Sequence, residues 1–248
     1  MAFITGAGLG IGRAAALLFA ASGAKVVIAE IDPVNGSQTE QLVRDAGGDG
    51  LFLRTDITDE PQVEAAMTAT VGHYGKLDVL YNCAGGSIPA DAPVTEVDLD
   101  VWDHTINLDL KGTVLCCRHG IPRIIEAGGG TVVNMASMAA LRPMRMHIYS
   151  AAKGGVIALT RTMAYQYARQ GVRVNAICPG YVMTERVVAR LGDRDARGPE
   201  ALEQATRRWP YSIGRPEDIA NIALFLASDQ SRMINGSAVA ADGGMSNH

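Results

Sequence analysis

The chain has 248 residues, 48% of them hydrophobic, with a formal net charge of -4 and no Lys/Arg block or aromatic ladder, a balance that excludes a nucleic-acid-binding face. A chain of this length buries a full core as one α/β domain, residues 1–248. Its longest apolar run, AAALLFAASGAKVVIA, is cut by Ser22, Gly23 and Lys25, so no membrane span is expected. The start, MAFITGAG, lacks the basic and apolar regions of a secretory signal. Cys83, Cys116, Cys117 and Cys178 lie in apolar surroundings without CxxC spacing, which suits free thiols in a reducing cytoplasm; no metal site is expected.

In chain order, AFIT (2–5) predicts a strand that runs into the turn TGAGLGIG and a helix from Gly10. KVVIAE then predicts a second strand, followed by a helix through DPVNGSQTEQLVRDAG; LFLRT predicts a third strand, followed by DEPQVEAAMTATVGHYG. LDVLYN leads to one long helical stretch over residues 97–128, and GTVVNMAS leads to another from Tyr149 to Gly171. VRVNAIC, the helix RPEDIANIALFLAS and the strand SAVAAD complete the series. Strands that alternate with helices predict about seven parallel strands covered on both faces, a doubly wound, Rossmann-type sheet. The rhythm lapses only over 181–213, where charge density rises; this reads either as an inserted lid over a site or as a solvated excursion.

Gly6, Gly10 and Gly12 lie between the first strand and the first helix, where open α/β sheets bind dinucleotides. There they allow a tight turn, close backbone approach and a helix N-terminus facing a diphosphate. Glu30 ends the second strand, at the spacing of an acid that accepts from the adenine-ribose hydroxyls, although a solvent-facing strand-end acid is the alternative. Neither Leu9 nor Ile31 is basic, so NAD is expected over its 2'-phosphorylated form. Tyr149 and Lys153 are four apart and share a helix face. A phenol serves as a base near pH 7 only if the phenolate is stabilised by about 4 kcal/mol, part of which a fixed ammonium supplies. Ser137, closing GTVVNMAS, stands at a strand end where it can hold a reacting oxygen.

The ordered set TGAGLGIG, Asp56-Ile57, NCAG (82–85), Ser137, YSAAK, PGYVMT (179–184) and ADGG resembles the short-chain dehydrogenase/reductase family, from Phe3 to Gly244. The resemblance implies a nicotinamide hydride-transfer enzyme that interconverts a secondary alcohol and a ketone. Tyr149 would act as acid/base, Ser137 would steady the oxygen, and Lys153 would hold the ribose and lower the tyrosine pKa. It also implies cofactor contacts at Gly6, Leu9, Gly10, Ile11 and Gly12, at Asp56 and Ile57 along the adenine, and at Asn82, Ala84 and Gly85 along the nicotinamide ribose. Pro179, Gly180, Val182 and Thr184 would hold the carboxamide. The family's relay asparagine falls at Asp109, seven residues after Trp102 and just before LKG, while Asn107 lies on another helix face. Leu110, Val114, Ile157 and Met163 put apolar residues on more than one face of the two long helices, which predicts burial between subunits, and the resemblance implies a homotetramer.

Met138, Met144, Met146 and Met183 are candidates for an apolar substrate wall, and Arg142 or Arg145 either meets a substrate anion or is solvated. Two other readings stay open. One is an NADPH-dependent 3-oxoacyl or carbonyl reductase, against which Glu30 argues; the other is a catalytically silent dinucleotide sensor, against which Ser137, Tyr149 and Lys153 argue.

Overall fold

The computed structural model describes residues 1–192, 211 and 213–247. Seven strands form one parallel sheet: β1 (Ala2–Thr5), β2 (Lys25–Glu30), β3 (Asp49–Arg54), β4 (Val79–Asn82), β5 (Gly130–Met135), β6 (Val172–Pro179) and β9 (Ala238–Ala241), in the order β3-β2-β1-β4-β5-β6-β9. Between β6 and β9 the short strands β7 (Tyr181–Val182) and β8 (Ile213–Gly214) pair in parallel and tie together the two ends of the charge-dense excursion. Residues 193–210 and 212, the middle of the expected lid, lie outside the described residues.

Alternation along each strand builds the two faces. Ala2, Ile4, Val26, Ile28, Val133 and Met135 point to one side, against α1 (Gly10–Ala21), α2 (Pro33–Asp45) and α8 (Pro216–Ala227). Phe3, Val27, Ala29 and Val132 point to the other, against α3 (Glu60–Tyr74), α5 (Gly112–Glu126) and α6 (His147–Tyr167). Burial on both faces explains why the strands read as near-continuous apolar runs. The chain goes outward from β1 through β2 to β3, then returns to place β4 on the other side of β1. The connections after β1 and β4 therefore leave in opposite directions and open a crevice at the carboxyl ends of these strands.

The helical stretch over 97–128 is not continuous. It divides into α4 (Leu99–Thr105), a π-helical turn (Ile106–Lys111) and α5. Val101, Thr105, Asp109 and Thr113 are all buried at intervals of four, a spacing that overruns an α-helix of 3.6 residues per turn. The wider turn takes up that drift and keeps Asp109 on the inward face. Of the four residues expected between subunits, Ile157 and Met163 are buried within this chain's own core, and Leu110 packs on Gly155; only Val114, 39% exposed, stands at the surface. Among the described residues no helix is long and apolar enough to cross a membrane, and no cluster of His, Cys, Asp or Glu could hold a metal ion.

Candidate active site

A cavity of about 460 Å³ fills the crevice between the ends of β1 and β4. A larger depression of about 740 Å³ lies on the outer surface near the end of α6, lined by Arg161, Tyr165, Arg169 and Asn235, and contains none of the expected reacting groups. Leu9, Glu30 and Ile31 line one end of the 460 Å³ cavity, and the expected reacting groups Ser137, Tyr149 and Lys153 line the other, the reaction end.

At the first end, the turn after β1 presents backbone N–H groups to carboxylates. Gly8 N–H donates to Glu30 Oε2 at 3.0 Å, and Ile31 N–H and Asp32 N–H donate to Glu30 Oε1 at 2.9 and 3.1 Å. Gly10 N–H, opening α1, donates to Glu185 Oε2 at 3.0 Å. Gly10 has φ +52, and a Cβ there would lie 2.9 Å from Thr184 Cγ2; only glycine lets PGYVMT close over the turn. The fit for a dinucleotide rests on this donor set: an anion already sits on the N-terminus of α1, as a diphosphate would. Arg13, the basic residue in α1, is committed to Thr39 and Gln38, and Leu9 and Ile31 leave the rim beside Glu30 apolar and exposed.

At the second end, α6 brings Tyr149 and Lys153 to one face, and Asp91 fixes where that helix begins. The Asp91 carboxylate accepts Ile148 N–H at 3.2 Å and Tyr149 N–H at 2.7 Å, satisfying donors that the first turn of a helix leaves free. Lys153 is 1% exposed. Its Nζ donates to Met135 O at 2.9 Å, at the end of β5, and pairs with Asp109 Oδ1 at 2.9 Å. The same Oδ1 accepts Gly86 N–H at 2.8 Å. Gly85 has φ +133, and a Cβ on it would run into Asp109 Oδ1, so the NCAG glycine makes room for the carboxylate. Asp109 Oδ2 is buried and accepts from no group among the described residues.

Charge sets the tyrosine. Burial raises the Tyr149 pKa, the Lys153 ammonium 5.6 Å from the ring centroid lowers it, Asp109 raises it again, and a hydrogen bond to Ser137 lowers it; the net direction is up. For Lys153, burial lowers the pKa but Asp109 and Tyr149 raise it further, so the group is held as a cation. Ser137 Oγ accepts Ala139 N–H at 3.1 Å, which orients the hydroxyl toward Tyr149. Cys83 also lines the cavity, but burial pushes its thiol up to about 11, leaving no thiolate at neutral pH. The arrangement can move a proton at a phenol and stabilise a developing alkoxide.

Of the residues singled out in the sequence, Gly6, Leu9, Gly10, Ile11, Gly12, Glu30, Ala84, Gly85, Ser137, Tyr149, Lys153, Pro179, Gly180, Val182 and Thr184 line this one cavity. Others do not reach it. The Asn82 amide turns into the core, donating to Asn134 Oδ1 at 2.8 Å, and Asn134 donates onward to Thr160. Asp56 accepts from the backbone and hydroxyl of Thr58, and Ile57 is buried against Gly112. Met138, Met144 and Met146 form an apolar wall, whereas Met183 does not line the cavity and pairs its backbone with Gly214. Arg142 donates to Met245 O, and neither it nor the exposed Arg145 lines the cavity. Sequence reasoning missed Asp91, Glu185 and Arg186. Asp91 lies 58 positions before Tyr149 and gives no local signal, while the other two directly follow the PGYVMT motif, which could have pointed to them.

Residues 6–246 match a family model described as enoyl-(acyl carrier protein) reductase. The chain is 41% identical over 245 residues to cis-4-hydroxycyclohexanecarboxylate dehydrogenase of Sinomonas cyclohexanicum, covering 98% of this chain and 95% of the relative. It superposes on a short-chain dehydrogenase/reductase of Burkholderia xenovorans with a TM-score of 0.94 at 35% identity, covering 100% and 96% of the two chains. It superposes also on carveol dehydrogenase of Mycobacterium avium, solved with NAD, with a TM-score of 0.90 at 28% identity, covering 98% and 95%. With the fold and this coverage, the chain belongs to the short-chain dehydrogenase/reductase family. It is an oxidoreductase that interconverts alcohols and ketones at CH–OH groups with a nicotinamide dinucleotide.

Proposed function

We propose that the protein is an NAD-dependent dehydrogenase of cyclic secondary alcohols, with Tyr149 as acid/base. The observation that carries this reading is the convergence of Ser137, Tyr149 and ion-paired Lys153 at one end of a cavity whose other end holds Glu30 without a basic neighbour. The bound nicotinamide supplies the hydride acceptor. Backbone N–H groups of the β1 turn would hold its diphosphate, Glu30 its adenine-ribose hydroxyls, and Val182 and Thr184 its carboxamide. Lys153 Nζ has three N–H donors, of which Met135 O and Asp109 take two; the third is free for the nicotinamide ribose.

In oxidation, Tyr149 accepts the hydroxyl proton while Ser137 donates to the same oxygen; in reduction the proton returns. The phenolate is stabilised by Lys153 and opposed by Asp109. Two relatives, named for a hydroxycyclohexanecarboxylate and for carveol, support a cyclic alcohol, and the methionine wall suits its apolar ring. Glu30 disfavours the NADPH-dependent reductase alternative, because a 2'-phosphate would meet a carboxylate there. The free cysteines support a cytoplasmic setting, and family likeness supports a homotetramer, which light scattering on the 26.2 kDa chain would test. The deciding experiment is turnover of cyclic secondary alcohols with NAD, followed at 340 nm; no turnover across substituted cyclohexanols would sink the reading.

A further inference from the structure

Arg186, in the first turn of α7 (Glu185–Gly192), reaches back into the reaction end of the cavity. Its Nη1 donates to Gly85 O at 2.9 Å, and its guanidinium lies over Gly86, in the space a Cβ on Gly86 would fill. The charged groups around the cavity are otherwise accounted for. Lys153 is neutralised by Asp109 at 2.9 Å, Glu30 rests on Gly8 N–H, and Glu185 rests on Gly10 N–H. Among the described residues Arg186 has a backbone carbonyl as its acceptor and no ion-pair partner. A guanidinium carries five N–H donors in a planar fork matched to a carboxylate. Met138, Met144 and Met146 line the same cavity.

We propose that Arg186 receives a carboxylate on the substrate, so that the enzyme acts on a hydroxy acid with an apolar body and on the corresponding keto acid. This rests on the dehydrogenase reading above and names the substrate class within it. The other anion that could claim the guanidinium is the cofactor diphosphate. Successive residues of a helix point about 100° apart, and it is Glu185, not Arg186, that faces the N-terminus of α1 where a diphosphate binds. Arg186 lies on the side of Tyr149, whose phenolate its charge favours. Arg142 and Arg145, the arginines that sequence order suggested for this role, do not line the cavity.

The test separates the two anions without requiring turnover. Cyclohexanecarboxylate and its uncharged carboxamide are titrated calorimetrically into the NAD-saturated protein, wild type and Arg186→Met. Wild type is expected to bind the acid at least about tenfold tighter than the amide, in keeping with a charge-assisted pair. Arg186→Met erases that preference and binds NAD within about twofold of wild type, which also shows that the variant is folded. Arg186→Lys, with the charge but not the fork, retains part of the preference. Equal binding of acid and amide by wild type, or a preference that survives in Arg186→Met, overturns the proposal. A tenfold loss of NAD affinity in Arg186→Met also overturns it, by assigning the guanidinium to the diphosphate. If the acid preference holds but no hydroxy acid is oxidised, the dehydrogenase reading fails and the anion site stands.

Discussion

Two glycine turns, one after β1 and one after β4, line the same cavity, and each offers backbone N–H groups to a carboxylate. After β1 the carboxylates are Glu30 and Glu185, both on side chains that reach solvent. After β4 the carboxylate is Asp109, 0% exposed and locked between Gly86 N–H and Lys153. Glu185 can give up its N–H to ligand oxygens because that returns its charge to water, and Glu30 keeps a half-exposed carboxylate for hydroxyls; Asp109 cannot leave, because that strands a buried ammonium. Under the proposed function, one turn is a site for binding and the other a fixture for chemistry. Thr5 Oγ1 joins them, accepting both Cys83 N–H and Ala84 N–H at 3.0 Å.

The largest effect should come from the chemical end. Tyr149→Phe is expected to cut turnover by about 10² to 10⁴, the usual loss for a general acid/base, while NAD binding stays within a few fold. Stopped-flow kinetics and a binding titration on the same preparation check both halves. Near-normal turnover would remove Tyr149 from the mechanism.

Next is the fixture itself. Asp109→Ala leaves Lys153 buried without its partner, and should lower stability at pH 7 by about 3 kcal/mol, or roughly 6–12 °C in Tm for a chain of this size. The sign with pH follows from the raised Lys153 pKa. Stability from the pair is complete below the free lysine value of 10.5 and is lost as pH rises through the higher folded value. Calorimetric scans at neutral and strongly alkaline pH should therefore show the gap between wild type and variant closing at the alkaline end. A gap that is absent at pH 7 would mean that the turn after β4 is as exchangeable as the one after β1.

The exchangeable turn carries a smaller, selective effect. With Glu30 beside Leu9 and Ile31, a 2'-phosphate adds repulsion to a lost hydrogen bond, so kcat/KM with NAD should exceed that with NADP by at least about tenfold, some 1.4 kcal/mol. Glu30→Ala should narrow the ratio, and equal efficiencies in wild type would remove Glu30 from cofactor choice.

The same contrast explains what could be read from the sequence. The strands were legible because each needs only local alternation or an apolar run, and the glycine turns because their spacing is fixed by one strand-to-helix connection. Long-range partners are not written locally: Asp91 meets Tyr149 58 positions on, and Glu185, though it follows the PGYVMT motif, meets Gly10 across 175. Asn82 and Asp56 belong to motifs, yet their side chains serve the core and the loop, since a motif fixes a backbone position and not where the side chain turns. The π-helical turn was hidden because its four-residue spacing still scans as helical over so short a stretch. Ile157 and Met163 look like subunit contacts by periodicity, but the periodicity does not say which neighbour covers a face.

The finest distinction between the turns is electrostatic. Asp109→Asn keeps an acceptor for Gly86 N–H and Lys153 but removes the negative charge. The groups that set Tyr149 are then burial, which raises its pKa, and Lys153, Ser137 and Arg186, which lower it; the raising contribution of Asp109 is gone. The phenolate should form at lower pH, and the rising limb of kcat/KM for alcohol oxidation should move down by about half to one unit, with most of the activity kept. The nicotinamide charge is common to both proteins and cancels in the comparison. An unchanged profile would mean that Asp109 acts on Lys153 mechanically and not on Tyr149 electrically. An upward shift would show that the amide fails to hold the ammonium in place, so that losing the position of Lys153 outweighs losing the charge beside it.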